Sequence, residues 1–215
     1  MEERKITITL EKAREWYNSN NVSLKEIALQ AFNEEELIYN FKSITTFQKA
    51  CETLNLNYGE MLHVKMNIDT FSRASAAMFE LNIIRKALNL GHNLHLTKNL
   101  EDSYIYYPYN PFVTKSSTYY KSDIDSGKME VIGKIKSKGE EYNVLGGSAG
   151  SSGLAGLGGF YSYTGVNDAY AFIGFLGCAN KDIAQHLGKY FGMLITEAKY
   201  GDMVDFEIID DKYNI

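Results

Sequence analysis

The chain has 215 residues and a formal net charge of −5, with 45% hydrophobic and 23% charged residues. Such a chain is long enough for one large domain or two small ones with a buried core. Because an acidic chain without a Lys/Arg-rich face binds a phosphate backbone poorly, we expect no nucleic-acid partner. No stretch approaches the roughly 20 apolar residues of a membrane span, so we expect no membrane partner either.

The two cysteines, Cys51 and Cys178, lie far apart in the sequence, which favours two free thiols in a reducing compartment over a disulfide. Residues 1–9 lack the apolar run of a signal peptide. We therefore expect synthesis in a cytoplasm. Incorporation into a virion assembled there is an alternative that the composition leaves open.

Short helices with polar start signals are predicted for residues 1–62. Thr9 can cap a first helix whose inner face includes Leu10 and Ala13. Three further starts have the spacing of a capping box: Ser23 with Glu26, Asn33 with Glu36, and Thr45 with Gln48. Two of them add a pair spaced as a hydrophobic staple: Val22 with Ile27, and Phe32 with Leu37. We predict that residues 1–62 form an N-terminal helical module.

Residues 67–90 are predicted to form the longest helix, which ends before Gly91. Its second half is apolar on more than one face, which is typical of a helix in the middle of a fold. We expect it to contact both the N-terminal helices and the sheet that follows. It opens a second domain, predicted for residues 63–215.

Strand and turn patterns dominate after Gly91. A strand at residues 103–107 is expected to stop at Pro108, because proline cannot donate to a sheet ladder. A hairpin is predicted further along, with strands at residues 130–136 and 141–145 around a loop at 137–140. An apolar strand follows at residues 169–178, and then a long helix at residues 180–200 that Asn180 caps. One more strand is predicted at residues 206–209. These patterns predict an α+β fold, with an N-terminal helical bundle and a central helix packed on a mostly antiparallel sheet built from residues 103–178 and closed by the C-terminal helix.

The segment at residues 146–159 is rich in glycine, with glycines at 147, 150, 153, 156 and 159. It lacks the Gly-Lys-Ser/Thr end of a phosphate-binding loop and the Gly-x-Gly-x-x-Gly of a dinucleotide-binding fold. We predict a flexible or close-packed loop; the alternative is an extended segment with three residues per turn, or a loop that lies flat against another backbone where a Cβ would clash. No cofactor is indicated.

Ten of the 16 tyrosines lie between Tyr104 and Tyr170, interleaved with Ser, Gly and Asn. Tyrosine offers a broad contact surface with a polar tip and few rotamers to freeze, so this mixture is typical of binding surfaces. Tyrosines that simply sit in a sheet would give the same pattern. The predicted recognition face for a protein or glycan partner consists of Tyr106, Tyr107, Tyr109, Tyr161, Tyr163, Asn167 and Tyr170.

Catalytic and metal-binding alternatives have weaker support. Cys178 precedes a helix start, where thiol pKa values fall, and His186 lies two turns along that helix. A small hydrolase or transferase using Cys178 is therefore the second hypothesis, although a side chain two turns into a helix should not reach back to its start. His92 and His95 have no nearby Cys or carboxylates to complete a metal site. We therefore assign no catalytic residue and no metal ligand.

Several stretches resemble an uncharacterised family of proteins encoded in the genomes of gut Bacteroidetes, their prophages and phages. The similarity covers residues 5–18, 24–32, 46–51, 84–89, 106–108, 141–147, 174–179 and 183–191. The resemblance brings no activity or catalytic residues with it. It implies an association with phages, which favours a virion or host-interaction role over a metabolic enzyme.

The first hypothesis is thus a non-enzymatic binding or structural protein of phage or prophage origin. The tyrosine-rich face would recognise a protein or glycan, the N-terminal helices would attach the protein to a partner or assembly, and oligomerisation is left open. A third hypothesis is a nucleic-acid-binding regulator that uses the N-terminal helices. Glu34, Glu35 and Glu36 make those helices acidic, which argues against it.

Overall fold

A computed structural model describes residues 7–17, 19, 21–37, 40–92, 104–153 and 176–213. Its helices are α1 (Leu10–Tyr17), α2 (Val22–Ala31), α3 (Glu34–Leu37), α4 (Phe47–Thr53), α5 (Tyr58–Asp69), α6 (Arg73–Leu88), α7 (Lys121–Asp125), α8 (Lys181–Tyr190) and α9 (Gly192–Tyr200), with a 3₁₀ turn at Phe41–Ser43. Its strands are β1 (Tyr104–Tyr109), β2 (Phe112–Thr114), β3 (Glu130–Ser137), β4 (Glu140–Gly146), β5 (Ser148–Gly153) and β6 (Phe206–Asp211). All the strand pairs are antiparallel. The described residues therefore form an α+β fold, as predicted.

The first three helices pack mainly on one another. Their small core consists of the buried residues Ala13, Ala28 and Leu37, and Phe32 packs against it. Phe32 and Leu37 thus belong to the same small cluster, which is consistent with the predicted staple. The backbone N–H of Asn33 donates to the Glu36 carboxylate at 3.0 Å, which is half of the predicted capping box.

The predicted start of α2 is wrong by two residues. Asn21 caps the helix, because its side chain accepts hydrogen bonds from the backbone N–H groups of Ser23 and Leu24. Val22 therefore lies inside the helix, where it is 70% exposed, and the predicted staple between Val22 and Ile27 does not bury either residue. Asparagine caps as well as serine does, so the two candidate starts could not be separated by their local signals.

Helix α4 is capped by Thr46 rather than Thr45, since the Thr46 hydroxyl accepts from the Lys49 N–H at 3.2 Å. The buried face of α4 belongs to the main core together with α6, and α5 packs on α6 as well. The predicted division into domains after residue 62 stays a prediction. The contacts group α4 and α5 with the rest of the chain rather than with α1–α3.

The single helix predicted for residues 67–90 is instead two helices, α5 and α6, with a break at residues 70–72. Ser72 caps α6 by accepting from the Ser75 N–H at 2.9 Å. The Ser72 hydroxyl also donates to the Asp202 carboxylate at 2.5 Å. A distant carboxylate thus stabilises the break, and no local pattern could reveal it.

The main sheet has the strand order β2-β4-β3-β6. Strands β3 and β4 form the predicted hairpin, and its turn residues Lys138 and Gly139 both have positive φ, 50° and 84°. This is a two-residue turn, tighter than the predicted loop, and its backbone twist matches that of the flanking strands. The sheet also extends beyond the predicted residues 103–178, because β6 pairs with β3.

A separate two-stranded ribbon pairs β1 with β5 from Tyr104↔Gly153 to Tyr109↔Ser148. Two expectations are corrected here. Strand β1 continues through Pro108, which is tolerated because the ribbon has only two strands and the described pairing on the other edge of β1 is the single bridge between Tyr106 and Cys178. The glycine-rich segment begins as strand β5 rather than as a loop, because β1 supplies its hydrogen-bonding partner. Residues 154–159 of that segment lie outside the described residues.

The helix predicted for residues 180–200 is also two helices, α8 and α9, which meet at Phe191. Asn180 caps α8 as predicted, accepting from the Ile183 N–H at 2.9 Å. Gly192 allows the close approach of Asn110, whose Nδ2 would lie 2.6 Å from a Cβ at this position. Of the apolar strand predicted at 169–178, residues 176–178 are described, and Cys178 forms an isolated bridge with Tyr106.

The fold is layered around α8 and α9. Helix α6 packs on α9, and the ribbon packs on α8. Met193 of α9 reaches the main sheet, where it packs in a core cluster with Ile132, Val144 and Phe206. Among the described residues no helix combines the length and apolar character needed to cross a membrane.

Candidate functional site

The ribbon positions three of the predicted recognition residues. Tyr106, Tyr107 and Tyr109 are half-buried on β1. Because side chains alternate along a strand, Tyr106 lies on one face and Tyr107 and Tyr109 on the other. Tyr106 packs against the main core, so it supports the ribbon on α8. Tyr107 pairs across the ribbon with Gly150.

Tyr109 brings a second pair of tyrosines into the surface. Its hydroxyl lies 2.8 Å from the hydroxyl of Tyr120, and the two rings are 6.4 Å apart in an edge-to-face arrangement. Tyr119 packs against Tyr120 at 5.4 Å and is itself 75% exposed. We call Tyr107, Tyr109, Tyr119 and Tyr120 the tyrosine surface.

Tyr120 is held in an unusual backbone conformation, with φ of 63°. A non-glycine residue in the left-handed region is strained, and such strain persists only where the surroundings hold it. Burial and the hydrogen bond with Tyr109 raise the pKa of Tyr120 to about 12, so its hydroxyl stays neutral. Tyr119 therefore packs against a neighbour that is itself held in place. It follows a run of small polar residues at 116–118.

The structure brings together only part of the predicted site. Tyr107 and Tyr109 lie on one face of β1, where Tyr109 packs with Tyr120 against a small buried cluster, whereas Tyr106 packs against the main core. Tyr161, Tyr163, Asn167 and Tyr170 lie outside the described residues. Tyr119 and Tyr120 were counted among the clustered tyrosines but not assigned to the recognition face, because only the fold brings Tyr120 to Tyr109. The Ser-Ser-Thr-Tyr-Tyr run at 116–120 is the sequence signal that could have found them.

The geometry around Cys178 does not produce a nucleophile. Cys178 is 1% exposed, and its thiol donates to the Leu176 carbonyl at 3.3 Å. Burial raises the pKa of this thiol to about 12, against a smaller lowering effect of Arg85. His186 directs its Nε2 to the Ile44 carbonyl at 2.6 Å, and a carbonyl oxygen can only accept, so this nitrogen carries the proton. Cys178 is therefore a buried neutral thiol and lacks the lowered pKa that a cysteine nucleophile needs.

The histidines do not assemble a metal site in the part of the chain that the structure describes. There, no three His, Cys, Asp or Glu side chains come close enough together to hold a metal ion. Burial lowers the pKa of His92, whose ring lies 6.0 Å from Phe41. His95 lies outside the described residues.

Glu130 is the centre of an ionic cluster that joins β3, α8 and the C-terminal segment. Lys189 of α8 approaches its carboxylate at 2.7 Å, Lys212 makes a second ion pair, and the Tyr213 hydroxyl donates at 2.8 Å. Burial opposes ionisation of Glu130, but these hydrogen bonds outweigh it and lower its pKa to about 2. The cluster fixes one side of Tyr190, since the Tyr213 ring packs on Tyr190 at 4.9 Å.

Two cavities share Tyr190 as a lining residue, and sequence analysis found neither. One has a volume of about 440 Å³ and lies between the 3₁₀ turn, the start of β3 and α8. The other, of about 560 Å³, lies between α4, α5, α6 and α9. Their walls come from segments as distant as residues 41 and 213, so only the fold could reveal them.

Comparison of the chain with protein-family models, with curated proteins and with solved structures gives no match in any of the three. No relative therefore assigns a role to the tyrosine surface or to the cavities. Only the geometry and chemistry of these sites bear on function.

Proposed function

We propose that the protein is a non-enzymatic binding or structural protein, and that it recognises a partner through the tyrosine surface. The observation that supports this most directly is the exposure of Tyr119 on a strained, hydrogen-bonded neighbour, Tyr120. A rigid aromatic side chain that is already ordered loses little conformational entropy on binding. Such a residue is suited to be an anchor of an interface.

A protein partner fits the tyrosine surface better than a glycan. The surface combines tyrosine hydroxyls with small polar residues at 116–118 and the glycine at 150, which together resemble an antibody combining site in composition. Its most exposed member, Tyr119, is 75% exposed and does not line either of the two cavities described above. Binding energy at protein interfaces is concentrated in a few such aromatic residues.

The resemblance to proteins of gut Bacteroidetes, prophages and phages supports a role in a virion or in contact with the host. In that setting the N-terminal helices would attach the protein to an assembly, and the tyrosine surface would face its target. Mass spectrometry of purified virions tests the association. Absence of the chain from virions and from their assembly intermediates would contradict it.

The recognition itself is tested with Tyr119→Ala. We immobilise the protein, expose it to host-cell extract, and map captured proteins by cross-linking through Lys115 and Lys121, which are exposed near the tyrosine surface. Tyr119→Ala should lower the affinity for a cross-linked partner about tenfold or more, as expected for an interface anchor. Phe71→Ala is the matched control, since Phe71 is 92% exposed between α5 and α6.

Three results would contradict the proposal. The first is equal binding by Tyr119→Ala and the wild-type protein. The second is cross-links that all fall outside residues 104–153. The third is a glycan array on which a glycan, rather than any protein, binds in a way that depends on Tyr119. That last result would show that the tyrosine surface binds a glycan instead of a protein.

A further inference from the structure

We propose that the two cavities beside Tyr190 form one groove, the Tyr190 groove, that binds an acidic oligosaccharide. The inference is independent of the tyrosine surface, because the groove is lined by different residues. It rests on three observations: the shared wall at Tyr190, the paired charges of the larger cavity, and the excess of lysines in the smaller one.

Tyr190 is a fixed aromatic wall common to both cavities. Its ring packs on His186 at 4.6 Å and on Tyr213 at 4.9 Å, so it is held from two sides. Volumes of about 440 and 560 Å³ each fall within the range of ligand sites, roughly 300–1,000 Å³. A ligand that fills both must be elongated and must pass Tyr190, which suits a chain of sugar rings.

The larger cavity presents cations and anions in opposed pairs. Arg73 donates from Nε at 3.1 Å and from Nη2 at 2.5 Å to the same oxygen of Glu197. The Lys65 ammonium contacts the carboxylate of Glu80, which is only 8% exposed. Asp211 also lines this cavity, so carboxylates outnumber cations here by three to two, and an anionic group of the ligand is disfavoured. A neutral ligand with many hydroxyls can donate to the carboxylates and accept from the cations.

The apolar part of the larger cavity combines aliphatic side chains with aromatic rings. Phe47 and Tyr58 pack edge to face at 5.8 Å. Tyr190 and Tyr213 also line the cavity. Aromatic rings pack against the C–H faces of sugars, while their hydroxyl groups stay free to hydrogen-bond. A purely apolar ligand is disfavoured, because it would cover Glu80 and Glu197 without replacing the hydrogen bonds that water makes to them.

The smaller cavity has an excess of positive charge. Three lysines line it, against two carboxylates: Lys42, Lys128 and Lys189 against Glu130 and Asp182. Glu130 is already engaged by Lys189 and Lys212, so it does not neutralise Lys42. Lys128 pairs with Asp123, a surface carboxylate that solvent screens. This half of the groove therefore suits a carboxylate of the ligand.

His186 borders the same cavity. Burial lowers the pKa of His186, its hydrogen bond to Ile44 raises it, and the nearby charges of Lys189 and Lys42 add smaller lowering effects. Lysines thus outnumber carboxylates around this cavity in a chain whose net charge is −5. A sugar acid would bind with its carboxylate beside Lys42 and its neutral rings in the cavity of Glu80 and Glu197.

The test uses two panels of tetrasaccharides and a monosaccharide. The acidic panel contains oligomers of galacturonate, of alginate and of hyaluronan; the neutral panel contains cellotetraose and maltotetraose; galacturonate is the monosaccharide. Binding to the full chain is measured by isothermal titration calorimetry and by NMR. At least one acidic tetrasaccharide should bind about tenfold more tightly than either neutral one and than galacturonate.

Two variants locate the ligand. Lys42→Gln should weaken binding of the acidic tetrasaccharide about fivefold or more, and Lys136→Gln, an exposed lysine near the hairpin turn, is its matched control. Glu197→Gln keeps the shape of the larger cavity. It should weaken the binding of the tetrasaccharide and leave the binding of galacturonate unchanged. Melting curves report whether each variant is folded. Tyr119→Ala should bind the tetrasaccharide as the wild type does, which separates this site from the tyrosine surface.

Four outcomes would overturn the proposal. These are no binding across the acidic panel at millimolar concentration, equal binding of acidic and neutral tetrasaccharides, and an affinity that Lys42→Gln does not change. The fourth is galacturonate binding as tightly as the tetrasaccharides, which would show an anion site instead of a groove for a chain of sugars.

Discussion

Cys178 shows how burial decides the chemistry of a single residue. Its position before a capped helix favours a lowered pKa, because a helix start stabilises negative charge. Its environment has the opposite effect. Burial raises the pKa because the thiolate loses its hydration, and the lowering effect of the nearby Arg85 is smaller. The net result is a pKa raised to about 12 and a thiol that is neutral at physiological pH.

We predict that iodoacetamide leaves Cys178 unmodified in the folded protein at pH 8. Cys51 should behave in the same way, because it too is buried and burial raises its pKa. Unfolding in guanidinium should expose both thiols to alkylation, as mass spectrometry of the intact chain would show. A Ser117→Cys variant supplies an exposed thiol as the positive control. Modification of Cys178 at the rate of free cysteine would instead revive the hypothesis of a cysteine-dependent enzyme.

At the scale of elements, helix starts depend on which of several polar residues accepts the first N–H groups. Asn21 and Ser23 are both good capping residues, and Asn21 performs the role. We predict that Asn21→Ala costs about 1 kcal/mol of local stability, because it leaves helical N–H groups without a side-chain acceptor. Ser23→Ala, the matched control, should cost little.

Hydrogen exchange of the α2 amides measures this cap. Protection should fall about fivefold in Asn21→Ala, which corresponds to about 1 kcal/mol, and should stay near the wild-type level in Ser23→Ala. The reverse ranking would restore the start predicted from the sequence.

The ionic cluster of Glu130 links β3 to α8 and to the C-terminal segment. The pKa of Glu130 is lowered to about 2 in the folded state, below its unfolded value of about 4.3. The stability that the ionised carboxylate contributes is therefore fully present above about pH 4.3 and is lost as the pH falls towards 2. We predict that Glu130→Gln lowers the free energy of unfolding by about 2 kcal/mol at pH 7. The difference from wild type should shrink as the pH falls below about 4.

Urea unfolding at several pH values between neutrality and the folded pKa of Glu130 measures that difference. Glu140→Gln is the matched control, because Glu140 is an exposed carboxylate of the same sheet. A difference between Glu130→Gln and wild type that stays constant with pH would show that the cluster contributes through packing rather than through charge.

At the scale of the molecule, the core divides after α3. Ala13, Ala28 and Leu37 form a cluster of their own, while Phe47, Ala50 and Cys51 of α4 are buried with α6, α8 and α9. A boundary after residue 62 would cut through this main core, and one between α3 and the 3₁₀ turn would not. The predicted boundary can be tested on that basis.

We predict that deletion of residues 1–37 changes the melting temperature of the remaining body by no more than about 3 °C. Deletion of residues 1–62 should abolish its cooperative transition, because it removes the buried face of α4 from the main core. Scanning calorimetry distinguishes the two. Cooperative melting of the shorter fragment would support the boundary predicted from the sequence, and loss of the transition on the first deletion would show a single core.

Local order along the chain was largely determined by the sequence itself. The types of most elements, the caps Thr9 and Asn180, the β3–β4 hairpin and the strand at β6 all follow from side chains within a few residues of one another. Periodicity, capping and turn signals act over that same short distance, so they can be recognised without a structure.

Only the tertiary structure decided the features that join distant parts of the chain. It paired β1 with β5 across about 40 residues and broke the longest predicted helix at Ser72, beside Asp202. It also buried Cys178, brought Tyr120 to Tyr109, and opened the two cavities around Tyr190. These outcomes depend on which surfaces pack together. The free energy of that packing comes from contacts between residues far apart in sequence, which no local pattern encodes.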